Sequence, residues 1–161
     1  MSAIAERFRK NPYVGWGLLA LCLAVAAILS NAQFLILPAP RNFVWLVVTG
    51  ISLLSALGFQ WYLLRKRWLK TMTRFDLVMH RWIGVLATFF FALHAARVGH
   101  SWMIVLTVVF VLTALTGLMN KEVMKYPQRW MYLLWLGLHV SLSTIMLPMI
   151  AVHVWVALAY Q

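Results

Sequence analysis

The chain has 161 residues, 64% hydrophobic and 11% charged, with fourteen Lys and Arg against three Asp and Glu for a formal net charge of +11. So apolar a balance excludes a water-soluble domain and implies an all-α polytopic membrane protein, a single membrane domain over 1–161 with little chain left for flavin or nucleotide chemistry. In a soluble protein the basic excess would raise the question of nucleic acid; here the charges fall between apolar runs, so the expected partners are membrane lipid head groups and not nucleic acid.

Residues 1–10 set Ile4 and Phe8 among Glu6, Arg7, Arg9 and Lys10, the pattern of a short helix lying on a membrane surface. Asn11 and Pro12 then read as an N-cap followed by a first-turn proline, and the apolar run after them predicts helix 1 over about 12–37. Ser30-Asn31-Ala32 has the small residues of a leader cleavage site, but more apolar chain follows, so this stretch is expected to span rather than to be removed. The one cysteine, Cys22, lies inside that run, which leaves no disulfide, no cysteine-based metal site and no covalent haem-attachment motif.

Pro38 to Asn42 is expected to be a turn, and helix 2 to cover about 43–64. Arg65, Lys66, Arg67, Lys70 and Arg74 then make the most basic loop in the chain. Thr73-Arg74-Phe75-Asp76 fits a capping box opening helix 3, predicted over about 74–98. A turn at Gly99, His100 and Ser101 leads to helix 4 over about 102–119, and a polar connection containing Pro127 leads to helix 5 over about 127–160. Eleven basic residues fall at the N-terminus and in the two connections on its side, whereas the opposite side has Arg41 and Arg97. The positive-inside rule therefore predicts five crossings with the N-terminus cytoplasmic and the C-terminus outside.

Helix 3 contains His80 and His94, and helix 5 contains His139 and His153; both pairs are fourteen residues apart. At 3.5 residues per turn both rings of a pair leave one face, separated by about 21 Å along the axis. A polar ring inside a bilayer is costly without a partner. A haem iron, clamped at one depth by a histidine from each of two neighbouring helices, is the natural one. Helices 3 and 5 run parallel in the expected topology, which pairs His80 with His139 at an inner iron and His94 with His153 at an outer iron. The competing reading of any one membrane histidine is helix packing through a hydrogen bond. Two equal spacings favour ligation, and His100, in a turn, is left out.

Gly84 and Ala87 after His80, and Ser143 after His139, would leave room for a flat macrocycle, or simply for close helix packing. Pro148 is expected to bend helix 5 between its two histidines. Arg81 and Arg97 could pair with haem carboxylates, or snorkel to head groups. Trp45, Trp61, Trp68, Trp82, Trp102, Trp130 and Trp155 read as interface anchors.

The stretch His80-Arg81-Trp82-Ile83-Gly84 through Leu93-His94-Ala95, with Leu138-His139 and Val152-His153, resembles the ferric reductase-like transmembrane family. That group includes NADPH oxidase membrane domains, in which the third and fifth helices hold two stacked b haems. The resemblance covers about 74–160 and implies electron transfer across the membrane. Those relatives typically have a sixth helix and often a fused flavin and nicotinamide domain; for this sequence the electron donor is expected to be a separate protein or a quinol. The expectation is a dihaem b-type cytochrome within a larger redox system, with no catalytic residue of its own and with a cytoplasmic flavoprotein, an extracytoplasmic acceptor or quinol as redox partner. The alternatives are a quinol-oxidising haem b anchor of a respiratory dehydrogenase or reductase, with quinone as a further cofactor, and a haem-less assembly or transport protein. A bacterial inner membrane is the expected location.

Overall fold

The computed structural model describes residues 10–29, 39–95 and 101–159, which form five α-helices and no strand. They are α1 (Pro12–Leu29), α2 (Ala39–Trp68), α3 (Arg74–His94), α4 (Ser101–Leu118) and α5 (Arg129–Ala159). Among the described residues α2, α3 and α5 are long and apolar enough to cross a membrane. At 1.5 Å per residue they run about 45, 32 and 46 Å, against a hydrocarbon core of about 30 Å. α1 and α4 are equally apolar and shorter, with 18 residues each. Val44, Val48 and Ile51 on α2, and Leu134, Leu138 and Ile145 on α5, are exposed. Facing water such rows would drive association, whereas hydrocarbon accommodates them.

The chain divides into two compact units, with the boundary between Arg97 and Val98. In the first, α3 packs against both α1 and α2. The seam of α1 is made of small residues, with Gly17, Ala20, Ala24 and Ala27 buried beside Tyr13 and Val14, so that backbones approach closely. The second unit is the hairpin of α4 and α5.

Helix α2 overruns its expected limits at both ends. It begins at Ala39, where a turn was expected, because Pro40 in a first turn needs no intrahelical N–H partner. It also takes in Arg65, Lys66 and Arg67, expected in a loop, since cations are favourable in the last turn of a helix. What stops it is a Schellman motif: Lys70 N–H donates to the Arg67 carbonyl at 3.1 Å and Thr71 N–H to the Lys66 carbonyl at 3.0 Å. Lys70 pays for this with a left-handed backbone, φ 56°, a conformation that glycine adopts more easily.

Three residues later the expected capping box is present: Asp76 N–H donates to Thr73 Oγ1 at 3.2 Å and Thr73 N–H to Asp76 Oδ2 at 2.7 Å. Lys66 Nζ reaches the same carboxylate oxygen at 2.7 Å, tying the end of α2 to the start of α3. α3 ends at His94, with Ala95 as its C-cap. In the second unit Asn120 organises the connection, accepting from the Val123 and Met124 N–H groups at 3.0 and 2.9 Å, while Tyr126 donates its hydroxyl to the Met119 carbonyl. α5 continues through Pro148 without interruption. Residues 1–9 of the surface helix expected over 1–10, the cleavage-like stretch at Ser30 to Ala32, the last turn of the expected helix 3 with Arg97, and the turn at Gly99 and His100 lie outside the described residues.

Candidate functional site

α3 carries both His80 and His94, and α5 both His139 and His153, each pair on one unbroken helix and all four rings half-buried. His80 lies six residues beyond the first residue of α3 and His139 ten beyond that of α5, so α5 has about one more turn before its first histidine.

In the first unit, His94 faces α2. Its Nδ1 lies 3.2 Å from Thr49 Oγ1, and a Cβ added at Gly50 would sit 3.0 Å from its Cε1. The ring therefore rests on the bare backbone of Gly50 beside the threonine hydroxyl. Trp45, one turn before Thr49, donates its indole N–H to the Leu93 carbonyl at 3.3 Å, fixing α2 to the residue before the histidine.

The second unit repeats this arrangement with different helices. His139 Nδ1 lies 2.9 Å from Thr116 Oγ1, and a Cβ at Gly117 would sit 3.3 Å from His139 Cε1. Trp135 donates its indole N–H to the Thr116 carbonyl at 2.7 Å and lies nearly parallel to the His139 ring, 6° between planes and 6.1 Å between centroids. Ser143 donates to the His139 carbonyl at 2.8 Å, a bond within α5.

His80 is approached through its backbone. Gln60 Nε2 on α2 donates to the His80 carbonyl at 2.8 Å and would meet a Cβ at Gly84 at 3.7 Å. Gln60 is thus an ordinary van der Waals neighbour of Gly84, and Ala87 is buried within the first unit. Gln60 Oε1 is a buried oxygen without a hydrogen-bond donor among the described residues. Arg81, expected at a haem carboxylate or a head group, lies over the Tyr13 ring of α1 with Cζ 5.2 Å from its centroid, a cation–π contact.

Five residues that shape these histidine environments were not singled out from the sequence: Thr49, Gly50, Gln60, Thr116 and Gly117. Trp135 joins them. A signal for four of them was available, because Thr-Gly occurs twice in the sequence, at 49–50 and 116–117, each time in the apolar run preceding a histidine-bearing helix.

Among the described residues no three His, Cys, Asp or Glu side chains gather, so they form no polydentate metal cage. A bis-imidazole site needs one nitrogen from each of two rings. The Asp76 carboxylate is held by Lys66 and Thr73 at the start of α3. No protein-family model, curated protein or solved structure matches the chain.

Proposed function

We propose that the chain is a dihaem b-type membrane cytochrome that passes electrons across the membrane as a subunit of a larger redox system. The observation that carries this reading is the placement of His80 and His94 on α3 and of His139 and His153 on α5, each pair fourteen residues apart on a continuous helix of spanning length. In the five-crossing topology α3 and α5 run in the same direction, and that reading pairs His80 with His139 at one iron and His94 with His153 at the other. Haem, when bound, supplies an iron couple that takes up and releases single electrons.

The chain's own part is to hold and insulate. Its imidazoles provide axial nitrogens, its apolar helices keep water and ions away, and Arg81 and Arg97 supply positive charge near the two levels. In a five-crossing topology the eleven basic residues on the N-terminal side favour that side as cytoplasmic, and a bacterial inner membrane is the location this reading carries with it. The same basic face suits an acidic donor such as a cytoplasmic flavoprotein.

A quinol-oxidising anchor is the second reading, and Gln60 favours it. Its buried Oε1 is an acceptor without a donor among the described residues, next to the backbone of His80, and a quinol hydroxyl is a donor of the right kind. Purified protein should give a b-type reduced-minus-oxidised spectrum and two haems per chain by pyridine extraction. A folded, colourless preparation would overturn the cytochrome and leave an assembly or transport role. If purified protein holds two haems and Gln60→Leu leaves quinol reduction unchanged, the quinol reading falls.

A further inference from the structure

We propose that Thr49 and Thr116 are positioning residues that hold His94 and His139 with the proton on Nδ1, so that each ring offers the lone pair of Nε2 as its ligating nitrogen. The ligating role rests on the cytochrome reading; the proton placement stands on the hydrogen bonds alone.

A hydroxyl has one proton to give. Thr49 Oγ1 lies 2.8 Å from the Trp45 carbonyl and 3.3 Å from that of Leu46, as well as 3.2 Å from His94 Nδ1. Carbonyls cannot donate. If the hydroxyl proton pointed at the histidine, two oxygens would face each other at 2.8 Å with no proton between them. The proton therefore goes to the carbonyl, and Nδ1 must bring its own. Thr116 repeats the logic, with Oγ1 at 2.9 Å from the carbonyls of Leu112 and Thr113 and 2.9 Å from His139 Nδ1.

Other threonines separate the two halves of this arrangement. Thr88, Thr113 and Thr144 also donate to the carbonyl four residues back, at 2.9, 2.7 and 2.9 Å. Such back-bonding is ordinary in apolar helices. Thr49 and Thr116 do the same while also meeting an imidazole, and each is followed by a glycine whose missing Cβ lets the ring lie against the helix. Among the described residues the combination occurs once in each of the two units. It falls once in each proposed ligand pair, on His139 for one iron and on His94 for the other.

A donated Nδ1–H fixes the tautomer and ring angle and raises the basicity of Nε2, and loss of such a partner costs about 10–100-fold in metal affinity. The test uses the full chain labelled with 15N-histidine, prepared in nanodiscs both haem-depleted and loaded. Resonances are assigned by difference against His94→Gln and His139→Gln. In haem-depleted protein both rings should show a protonated Nδ1 and a pyridine-type Nε2. Thr49→Val should release His94 alone from that form, Thr116→Val should release His139 alone, and Thr→Ser at either site should retain it. In loaded protein each valine variant should weaken one haem by about 10–100-fold and raise its midpoint potential, because a less basic ligand favours ferric iron less. Protonated Nε2 in unsubstituted protein, or valine variants that leave both tautomers and both potentials unchanged, would overturn the positioning role. The unsubstituted spectrum decides this even if a valine variant misfolds. The expected tautomers in a protein that binds no haem would overturn the cytochrome reading and leave the proton placement standing.

Discussion

Replacing Gly50 by alanine should loosen His94 even though alanine is the better helix former. The added methyl would lie 3.0 Å from His94 Cε1, 3.4 Å from Nδ1 and 3.8 Å from Nε2. Carbon–carbon contacts favour about 3.5–4.0 Å, so the ring must give by a few tenths of an ångström. The Thr49 bond is already 3.2 Å long, at the outer edge of the normal range, so a shift of that size away from Thr49 would weaken it. Overpacking of this kind costs about 1–3 kcal/mol, against about 1 kcal/mol gained from helix propensity, for a net loss of about 0–2 kcal/mol. Gly117→Ala meets His139 Cε1 at 3.3 Å and should be close to balanced. Gly58 and Gly137 have nothing within 4 Å, so alanine there should keep or raise stability. Denaturant unfolding in detergent followed by circular dichroism gives the order, and retained haem reports the histidine directly. Stability should fall from the Gly58 and Gly137 variants through Gly117→Ala to Gly50→Ala, with one haem weakened in the last. A Gly50→Ala protein as stable as Gly58→Ala and fully loaded with haem would refute the contact argument.

Lys70→Gly should stabilise the chain by about 1 kcal/mol, because the Schellman motif at the end of α2 needs a left-handed residue there; the same unfolding assay reads it. Thr73→Ala removes the N-cap of α3 and should destabilise by about 1 kcal/mol, with Thr73→Ser recovering most of it. His80→Ala and His139→Ala should remove the same haem, and His94→Ala and His153→Ala the other, as read by redox titration. Loss of the same haem from His80→Ala and His153→Ala would overturn the pairing. Reduction by an acidic soluble donor should slow as salt rises, since screening acts over about 8 Å at physiological ionic strength. Quinol arriving through the bilayer should be nearly indifferent to salt, and stopped-flow reduction in nanodiscs at two salt concentrations separates the two.

Helix order and the histidine spacings were legible before any fold was known, because apolar run length and a fourteen-residue interval are properties of a linear chain. The capping box was legible for the same reason: Thr73 and Asp76 are three residues apart and satisfy each other without help from elsewhere. The end of α2 was not. Its stop residue is Lys70, and a lysine in the left-handed region leaves no mark in a sequence where glycine would have been the signal. Arg65 to Arg67 look like a loop by charge, yet they are helical because the last turn of a helix favours cations and Asp76 of the next helix holds Lys66.

The histidine surroundings depended on tertiary structure altogether. Thr49 meets His94 across 45 residues and Thr116 meets His139 across 23, so no local window contains either pair. The repeated Thr-Gly was visible in the chain, but alone it marks only two small residues in apolar helices. It acquires a chemical role when packing of α2 on α3, and of α4 on α5, lays an imidazole over the glycine and turns its Nδ1 to the hydroxyl. Gly84 meets Gln60 of α2 at ordinary contact distance, a neighbour 24 residues away that no local window contains. Composition and run length thus settle which segments are apolar enough to cross a membrane, because that is a property of each helix by itself. Which polar group meets which is decided by side chains far apart in sequence, because hydrogen bonds are short and directional and need the helices already packed.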